Sequence, residues 1–305
     1  MKPAKYLGQN FLTSREIVEE IIGAADLKPD DVVLEVGPGK GILTEAILEK
    51  IPQGKLIAVE KDKRLAEYLM QKFHDRENFQ LTHGDILKFN ITRYALRVTG
   101  YKIIANIPYY ITSRFLRNFL QSDFQPTTMV LMVQKEVAER IIGHSGKKNR
   151  VSSSQSSRGM ITKHDSFSPK RIPASKESIL SISVKAYGQP KIIKIVPREY
   201  FSPKPKVDSA ILLIDNISKD FFERLAGEKF VFLKTDIKGN LTKTKFLARL
   251  EKSFFDLVKQ GFSSKRKFLK NNLKLLDIGC LTKCGVAEKA RAEDLSLENW
   301  KCLMK

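Results

Sequence analysis

The sequence has no apolar run that approaches the ~20 residues needed for a membrane-spanning helix. No apolar segment follows the charged residues at its N-terminus, so we expect no signal peptide. Cysteine is scarce, because the 305 residues include only Cys280, Cys284 and Cys302. A small and odd number of cysteines predicts reduced thiols and a cytoplasmic location.

Metal-binding and hydrolytic patterns are also missing. Cys280 and Cys284 are separated by three residues, but no histidine or second cysteine pair lies near them. A closed zinc site needs four such ligands, so we expect no bound metal. No nucleophile–base pair accompanies the polar and aromatic stretch at residues 106–110, which argues against hydrolysis.

Acidic residues are few relative to basic ones. The chain has 54 Lys and Arg but 34 Asp and Glu, which gives a formal net charge of +20. Self-repulsion on this scale disfavours the compact state, so a polyanionic partner is the natural explanation. Nucleic acid is the first candidate and an anionic membrane surface is the second. The length and the 42% hydrophobic content suit a well-buried core in one large and one small domain.

Strand-like and helix-like segments alternate in the first half of the chain. Five apolar runs predict buried strands: residues 32–36, 56–60, 79–82, 102–105 and 129–133. Helical patterns occupy residues 42–50, 112–120 and 135–142. This alternation predicts an α/β fold with a mostly parallel sheet, in which ligands bind outside the carboxyl ends of the strands.

Candidate ligand-binding positions follow four of these strands: Gly37, Glu60, Asp85 and Asn106. Residues 35–41 have the pattern acid-x-Gly-x-Gly-x-Gly, whose glycines let the backbone approach a ligand. Ile42 stands where a dinucleotide fingerprint needs its third glycine. An acid at the end of the second strand, here Glu60, accepts hydrogen bonds from ribose hydroxyls in doubly wound folds. The simpler alternatives are a tight turn for the glycines and a helix cap for Asp85.

Residues 106–110, Asn-Ile-Pro-Tyr-Tyr, follow the strand pattern at 102–105. Pro108 cannot continue a central strand, so the chain must turn there. The turn presents an amide side chain, a carbonyl and two aromatic faces. This set suits the binding of a flat, nitrogen-containing ring, although Tyr109 could also be a core aromatic.

The second half predicts the remaining strands and an insertion. Strand patterns occupy residues 179–187, 192–196 and 210–214, the last as an antiparallel edge strand. The loop at 197–207 is rich in proline and basic residues, and we expect Phe201 to be exposed on it. Residues 144–174 are rich in Lys, Arg and Ser, which predicts a flexible insertion that either contacts RNA or stays solvated.

From residue 215 onwards the pattern becomes helical. Phe254, Leu257 and Val258 form an apolar face, and Gly261 is expected to end their helix. Ser263 or Ser264 is expected to cap the next helix, which would expose four basic residues: Lys265, Arg266, Lys267 and Lys270. Because the net charge is +20, contact with phosphates is a better interpretation than a merely solvated face.

Several segments together resemble the family of ribosomal RNA adenine dimethyltransferases, which includes the macrolide-resistance methyltransferases. They are residues 9–12 (Gln-Asn-Phe-Leu), 35–41, 106–109 (Asn-Ile-Pro-Tyr), 197–207 and 254–273. The resemblance implies a Rossmann-like fold of S-adenosylmethionine-dependent methyltransferases, with a mostly parallel seven-stranded sheet in residues 1–214. It also implies a small all-α, RNA-binding domain in residues 215–305.

The resemblance further implies a role for individual residues. Asn106 and Pro108 would accept hydrogen bonds from the N6 amine of a target adenine, and Tyr109 and Phe201 would stack on its two faces. S-adenosylmethionine would contact Asn10, Leu12, Gly37, Gly39, Glu60, Asp85 and Asn106. RNA would contact Lys204, Lys206, Lys265, Arg266, Lys267 and Lys270. Tyr110 receives no role.

The implied activity is dimethylation of N6 of two adjacent adenines in small-subunit ribosomal RNA, by a cytoplasmic monomer that acts in ribosome biogenesis. Two alternatives stay open. One is a resistance-type methyltransferase of large-subunit RNA, which the long basic C-terminal region disfavours. The other is an RNA-binding assembly factor with weak or secondary methylation. A small-molecule methyltransferase would leave the net charge of +20 unexplained.

Overall fold

The computed structural model describes residues 8–91, 100–143, 176–227, 240–273 and 278–304. The predicted flexible insertion at residues 144–174 lies outside the described residues. Within the described ranges, no helix has both the length and the apolarity to cross a bilayer. In the same ranges, no group of three or more His, Cys, Asp or Glu side chains is arranged to hold a metal ion.

Seven strands form one sheet: β2 (Val32–Val36), β3 (Lys55–Glu60), β4 (Phe79–His83), β5 (Lys102–Asn106), β6 (Thr128–Gln134), β7 (Gln189–Val196) and β9 (Ser209–Asp215). Their order across the sheet is β4-β3-β2-β5-β6-β9-β7. Strands β2 to β6 are parallel to one another, and β9 is antiparallel to both of its neighbours. This confirms the predicted mostly parallel seven-stranded sheet. Two short strands, β1 (Phe11–Leu12) and β8 (Phe201–Ser202), form a separate antiparallel pair.

Helices cover both faces of the seven-stranded sheet. One face carries α1 (Arg15–Ala25), α2 (Ile42–Lys50) and α3 (Lys63–Lys72), and the other carries α4 (Thr112–Leu120), α5 (Lys135–Ile142) and α6 (Ile179–Lys185). Successive strand residues point to opposite faces, so Val33 enters one hydrophobic core and Leu34 the other. Burial on both faces explains why the strands are continuous apolar runs rather than alternating ones.

Residues 179–185 form helix α6 rather than the predicted strand. The Ser178 hydroxyl oxygen accepts a hydrogen bond from the Ser181 N–H at 3.1 Å, and the Ser181 hydroxyl oxygen accepts one from the Ser178 N–H at 2.6 Å. This capping box satisfies the free N–H groups of the first turn and favours a helix. Ile182 and Val184 are both buried and lie two positions apart, which is the spacing that a strand pattern would give.

Strand β9 lies inside the sheet rather than at its edge, where it was predicted. It pairs with β6 on one side and with β7 on the other. Strand β7 follows α6 and adds outside β9, so β7 is the edge strand. The relative order of these two strands depends on long-range pairing, and the local sequence does not report it.

The C-terminal region is helical, as predicted. It contains α7 (Asp220–Ala226), α8 (Asn240–Gly261), α9 (Leu269–Asn272), α10 (Ile278–Lys283) and α11 (Leu297–Cys302). Aromatic rings of α7 and α8 pack on Tyr187, with centroid distances of 5.2 Å to Phe222 and 6.1 Å to Phe255. One hydrophobic core therefore continues from the sheet into these helices. The domain boundary after residue 214 stays a prediction.

The basic residues 265–267 lie in a turn rather than on the predicted helix. The Lys267 N–H donates to the Ser264 carbonyl at 3.1 Å, and α9 begins only afterwards, without a side-chain cap. The predicted serine cap is therefore wrong. The side chains of residues 265–267 are exposed, whereas Lys270 is half-buried and pairs with Glu288 at 2.6 Å.

Cys284 and Cys302 form a disulfide bond, so the prediction of reduced thiols is wrong for this pair. The last residue of α11 returns to the turn that follows α10, and the two Cα atoms lie 5.6 Å apart, within the range that disulfides need. The path of the chain brings these residues together, and a count of cysteines does not reveal that path. Cys280 has a free, exposed thiol.

Gly261 is needed for packing rather than for a left-handed helix end. It is the last residue of α8, yet it is not among the glycines with positive φ. A Cβ atom at this position would overlap the ring of Trp300, which is fully buried on α11, and would lie 3.0 Å from Leu269 Cδ1. Helices α8 and α11 thus meet where only a hydrogen atom fits.

We expect Gly261→Ala to lower the free energy of unfolding by ~1–3 kcal/mol, because overpacking outweighs the better helix propensity of alanine. Gly23→Ala in α1 is the matched control, since its Cβ would have no atom within 4 Å. That variant should gain up to ~1 kcal/mol. Urea unfolding followed by circular dichroism measures both, and equal effects at the two positions would contradict the packing argument.

Candidate active site

The loop between β2 and α2 is shaped by glycines in the left-handed region. Gly37 and Gly39 have φ of 69° and 59°, values that disfavour a side chain. The Phe11 ring lies over Gly39, where a Cβ would approach Phe11 Cδ1 to 2.9 Å. A Cβ on Gly37 would lie 3.4 Å from the Asn106 carbonyl oxygen. Gly39 therefore packs directly against the Phe11 ring, and the left-handed backbone of both residues disfavours a side chain.

Glu60 ends β3 with its carboxylate held against this loop. Its Oε2 accepts a hydrogen bond from the Gly39 N–H at 3.1 Å, and its Oε1 accepts one from the Asp62 N–H at 2.8 Å. Burial raises the pKa of Glu60, while these backbone hydrogen bonds act in the opposite direction. Each carboxylate oxygen has two lone pairs, so the group can still accept from ligand hydroxyls.

Asp85 follows β4 and forms an ion pair across the mouth of the site. Its Oδ1 accepts from the Leu87 N–H at 3.0 Å, and its Oδ2 accepts from the Lys61 ammonium at 2.9 Å. The hydrogen bond from Lys61 is the main cause that lowers the pKa of Asp85. An ionised acceptor is therefore available here for an amino group of a ligand.

Asn106 ends β5 with a defined amide orientation. Its Nδ2 donates to the Asn10 carbonyl at 3.1 Å, and among the described residues no hydrogen bond reaches its Oδ1. The nearby Pro108 carbonyl accepts one hydrogen bond, from the Ile111 N–H at 3.1 Å, and keeps a second lone pair. Both residues line the cleft, and each keeps an acceptor lone pair that a ligand could use.

Two tyrosines follow in a short 3-10 turn, and their environments differ. Tyr109 is half-buried, and its hydroxyl lies 2.7 Å from the Ser209 hydroxyl. Tyr110 is 64% exposed, and a Cβ on Gly8 would lie 3.8 Å from its ring. Of these two tyrosines, only Tyr109 has a hydroxyl that is hydrogen-bonded to another described residue.

Residues 8–12 cross the site and close one side of it. The Gln9 amide donates to Asp62 Oδ2 at 3.0 Å, and the Asn10 carbonyl receives the Asn106 amide. Strand β1 then pairs with β8, with Leu12 opposite Phe201. The N-terminal segment therefore fixes the orientation of Asn106 from outside the sheet.

Most of the residues predicted to act in catalysis or to bind the cofactor line a single open cleft at the carboxyl ends of the parallel strands. They are Asn10, Gly37, Gly39, Glu60, Asp85, Asn106, Pro108 and Tyr109. Leu12 and Phe201 do not line it. Leu12 is buried in the core beneath the N-terminal segment, on the same side of the sheet as α1.

Phe201 is buried, so the expectation of an exposed ring is wrong. Only 2% of its surface is accessible, and it packs in one core with Leu12, Ile17 and Val196. Pairing with β1 makes residues 201–202 a strand, in which Phe201 points inward and Ser202 outward. The loop sequence does not reveal this pairing, because the partner strand is almost 190 residues away.

The residues predicted to bind RNA lie outside the cleft. Lys204 and Lys206 are exposed on the loop between β8 and β9. Lys265 lines a groove between α4 and the end of α8, and Arg117 of α4 lines the same groove. No ion pair engages Lys265 or Arg117 within the part of the chain that the structure describes.

Sequence reasoning missed Lys61 and Ser209, each of which contacts a predicted site residue. Lys61 adjoins Glu60, so its proximity to the site could be inferred, but its pairing with Asp85 depends on the parallel register of β3 and β4. Ser209 lies 100 residues from Tyr109. It begins a buried strand, and no local pattern marks it as a site residue.

Glu35 is a buried acid beneath the glycine loop. Thr44 Oγ1 donates to its Oε2 at 2.7 Å, while its Oε1 has no hydrogen-bond partner among the described residues. Burial raises the pKa of Glu35 from 4.5 to about 8, the nearby Glu60 adds to the rise, and the Thr44 hydrogen bond opposes it. The folded protein therefore keeps this carboxyl protonated at neutral pH.

We expect this proton to make stability depend on pH. Between pH 4.5 and about 8, folded Glu35 holds a proton that the unfolded chain has lost, so stability falls as the pH rises through this window. Glu35→Gln removes that loss, which is on the order of 3–5 kcal/mol over the whole window. Urea unfolding at pH 5, 6.5 and 8 measures it. If the free energy of unfolding changed with pH equally in the unmodified protein and in Glu35→Gln, a protonated Glu35 would be contradicted.

Comparison of the chain with known proteins gives a consistent family. Residues 2–158 and 168–244 match the protein-family model RrnaAD, described as Ribosomal RNA adenine dimethylase. The chain is 37% identical to the Ribosomal RNA small subunit methyltransferase A of Dehalococcoides mccartyi strain CBDB1, over 99% of this chain and 88% of that protein.

Solved structures agree at the level of the fold. The 23S rRNA methyltransferase ErmE aligns with a TM-score of 0.67 and 22% identity, over 97% of this chain and 98% of that chain. A dimethyladenosine transferase from Plasmodium falciparum gives a TM-score of 0.67 and 23% identity, over 96% and 95% of the two chains. The predicted Rossmann-like methyltransferase fold is thereby confirmed.

Proposed function

We infer that this chain, which belongs to the ribosomal RNA adenine dimethylase family, transfers methyl groups from S-adenosylmethionine to N6 of adenines in small-subunit ribosomal RNA. The observation that carries the inference is one cleft that joins the Glu60 carboxylate to the open acceptors of Asn106 and Pro108. We propose two adjacent adenines of a small-subunit precursor as targets, a cytoplasmic setting and a monomeric enzyme.

The cleft residues fit S-adenosylmethionine, whose sulfonium group supplies an activated methyl. Gly37 and Gly39 line the cleft, and as glycines they let the backbone approach a ligand closely. Glu60 keeps lone pairs for the hydroxyls of a ribose, and Asp85 is an ionised acceptor for the amino group of the adenine ring. Asn10 and Asn106 close the space between these groups.

Asn106 and Pro108 would prepare the acceptor amine. The lone pair of an adenine N6 is delocalised into the ring, so the amine is a poor nucleophile. In the first transfer, Asn106 Oδ1 and the Pro108 carbonyl can each accept one N6–H, which draws the amine toward a tetrahedral shape and aims its lone pair at the methyl. This is catalysis by orientation and preorganised hydrogen bonding, and it needs no strong base. In the second transfer one N–H remains, so only one of the two acceptors is used. After each transfer the methylated amine releases one N6 proton to solvent.

Tyr109 would hold one face of the target base. Its ring lines the cleft beside Asn106, and stacking contributes ~1–3 kcal/mol per base. The adenine must leave its own stack to reach this position. Stacking of Phe201 on the opposite face is not proposed, because that ring is in the core.

We expect Asn106→Ala to lower the methylation rate about 10²–10³-fold, because a preorganised acceptor for the reacting amine is lost. Affinity for S-adenosylmethionine should change little. Tritiated methyl incorporation into small subunits that lack the modification measures the rate, and calorimetry measures the affinity.

Asn118→Ala is the matched control for this test, since Asn118 is exposed on α4 and lies outside the cleft. It should keep the full rate. Normal methyl incorporation by Asn106→Ala would remove Asn106 from the mechanism. A loss of cofactor affinity as large as the loss of rate would assign Asn106 to cofactor binding instead.

We propose that RNA phosphates contact the exposed turn at 265–267, the loop that carries Lys204 and Lys206, and Arg117. These cations are exposed, and Arg117 and Lys265 line the same groove. Lys270 should contribute less than its position in the sequence suggests, because Glu288 already neutralises it at 2.6 Å.

We expect Lys265→Gln to weaken RNA binding uniformly across sequences and to reduce the slope of log K against log salt by about 1. Fluorescence anisotropy at several salt concentrations measures both quantities. Lys50→Gln, at the exposed end of α2 on the other side of the sheet, is the matched control and should change neither. An unchanged slope for Lys265→Gln would exclude a phosphate contact.

Mapping of the methylated nucleotides distinguishes this function from its alternatives. Methyl groups on small-subunit adenines would support the proposal. Incorporation into large subunits alone would indicate a resistance-type enzyme, and tight RNA binding without incorporation would indicate an assembly factor.

A further inference from the structure

The hydroxyls of Tyr109 and Ser209 form a hydrogen bond that the proposed reaction does not yet account for. Their oxygen atoms lie 2.7 Å apart, a normal distance for two hydroxyls. Ser209 is fully buried, whereas Tyr109 is half-buried and lines the cleft. The bond therefore ties a ring at the surface of the cleft to a fixed point inside the sheet.

The sheet topology explains how these residues meet. Asn106, the last residue of β5, lies opposite Met132 of β6, and Gln134, the last residue of β6, lies opposite Ser209. Because β9 is antiparallel, its first residue is at the edge where the parallel strands end. Tyr109, three residues after Asn106, extends across the end of β6 to reach it.

The anchor matters because Tyr109 is the one aromatic residue of the two predicted stacking partners that lies in the cleft. Phe201 is buried in the core. The hydroxyl oxygen of a tyrosine lies on the axis of its last side-chain torsion, so a hydrogen bond at this oxygen does not stop rotation about that axis. It fixes where the far end of the ring lies, and therefore the tilt of the ring that the first side-chain torsion sets.

We propose that Ser209 is a positioning residue for methyl transfer, which holds the Tyr109 ring at the orientation that stacks the target adenine beside Asn106. This inference rests on the proposed function. Burial raises the pKa of Tyr109 while the Ser209 hydrogen bond opposes the rise, so the phenol is neutral at physiological pH and keeps its proton for the bond.

A double-mutant cycle tests the proposal with the full-length protein. Tyr109→Phe keeps the ring but removes its hydroxyl, and Ser209→Ala removes the partner. Each variant should lower kcat roughly three- to tenfold, in line with the loss of one hydrogen bond. The double variant should lose no more than the larger single loss, because the same bond is removed.

Two further measurements separate positioning from general destabilisation. The Kd for S-adenosylmethionine, from calorimetry, should stay unchanged in all three variants. Tyr101→Phe is the matched control, because Tyr101 is buried at the opposite end of β5 and donates its hydroxyl to the Phe124 carbonyl at 3.0 Å. It should lower thermal stability like the other variants, without lowering kcat.

Three outcomes would overturn the role of Ser209: additive losses in the cycle, a full kcat in Tyr109→Phe, or an equal loss of kcat in Tyr101→Phe. If Ser209→Ala fails to fold, the kcat values of Tyr109→Phe and Tyr101→Phe are compared. A lower kcat in Tyr109→Phe alone would support the positioning role of the hydrogen bond. Failure of the proposed function is distinct, because the unmodified protein would then methylate no small-subunit adenine.

Discussion

The parallel register of β2, β3, β4 and β5 is the constraint on which the site depends. Parallel strands end at the same edge of a sheet, so the residues after each of them converge without long loops. Backbone hydrogen bonds extend this register beyond the strands, since the Gly37 N–H donates to the Val59 carbonyl at 3.0 Å and the Gly84 N–H donates to the Glu60 carbonyl at 2.8 Å. The positions of the cleft residues are thus set by the sheet.

The polar side chains of the cleft use only part of their hydrogen-bonding capacity within the protein. Glu60 accepts from backbone N–H groups and Asn106 donates to a carbonyl, so the protein fixes each group and still leaves acceptor lone pairs for a ligand. Oriented acceptors of this kind need no rearrangement when a ligand arrives, which is the physical basis of preorganisation. The N-terminal segment contributes through Asn10, although it belongs to no strand of the main sheet.

Sequence reasoning was reliable where a feature depends on neighbouring residues. The glycine loop, the acid at the end of β3 and the turn at Pro108 are all encoded within a few residues, and each lies on the cleft. Features that depend on distant pairing were missed or misjudged. Phe201 is buried because of its pairing with Leu12, β9 lies inside the sheet because β7 adds outside it, and Cys284 meets Cys302 through the path of the last helices.

The acidic side chains of the cleft lie apart from most of the basic residues of the chain. The carboxylates of Glu60 and Asp85 face the cleft, while the large excess of basic residues lies elsewhere, including the exposed turn at 265–267. Carboxylates favour a sulfonium cation and hydroxyl donors but repel phosphates, whereas the outer cations attract phosphates. An RNA strand held by the surface would therefore be driven to present a neutral base, and not its backbone, to the cleft. The same separation explains how a chain with a net charge of +20 can keep acidic groups in the cleft.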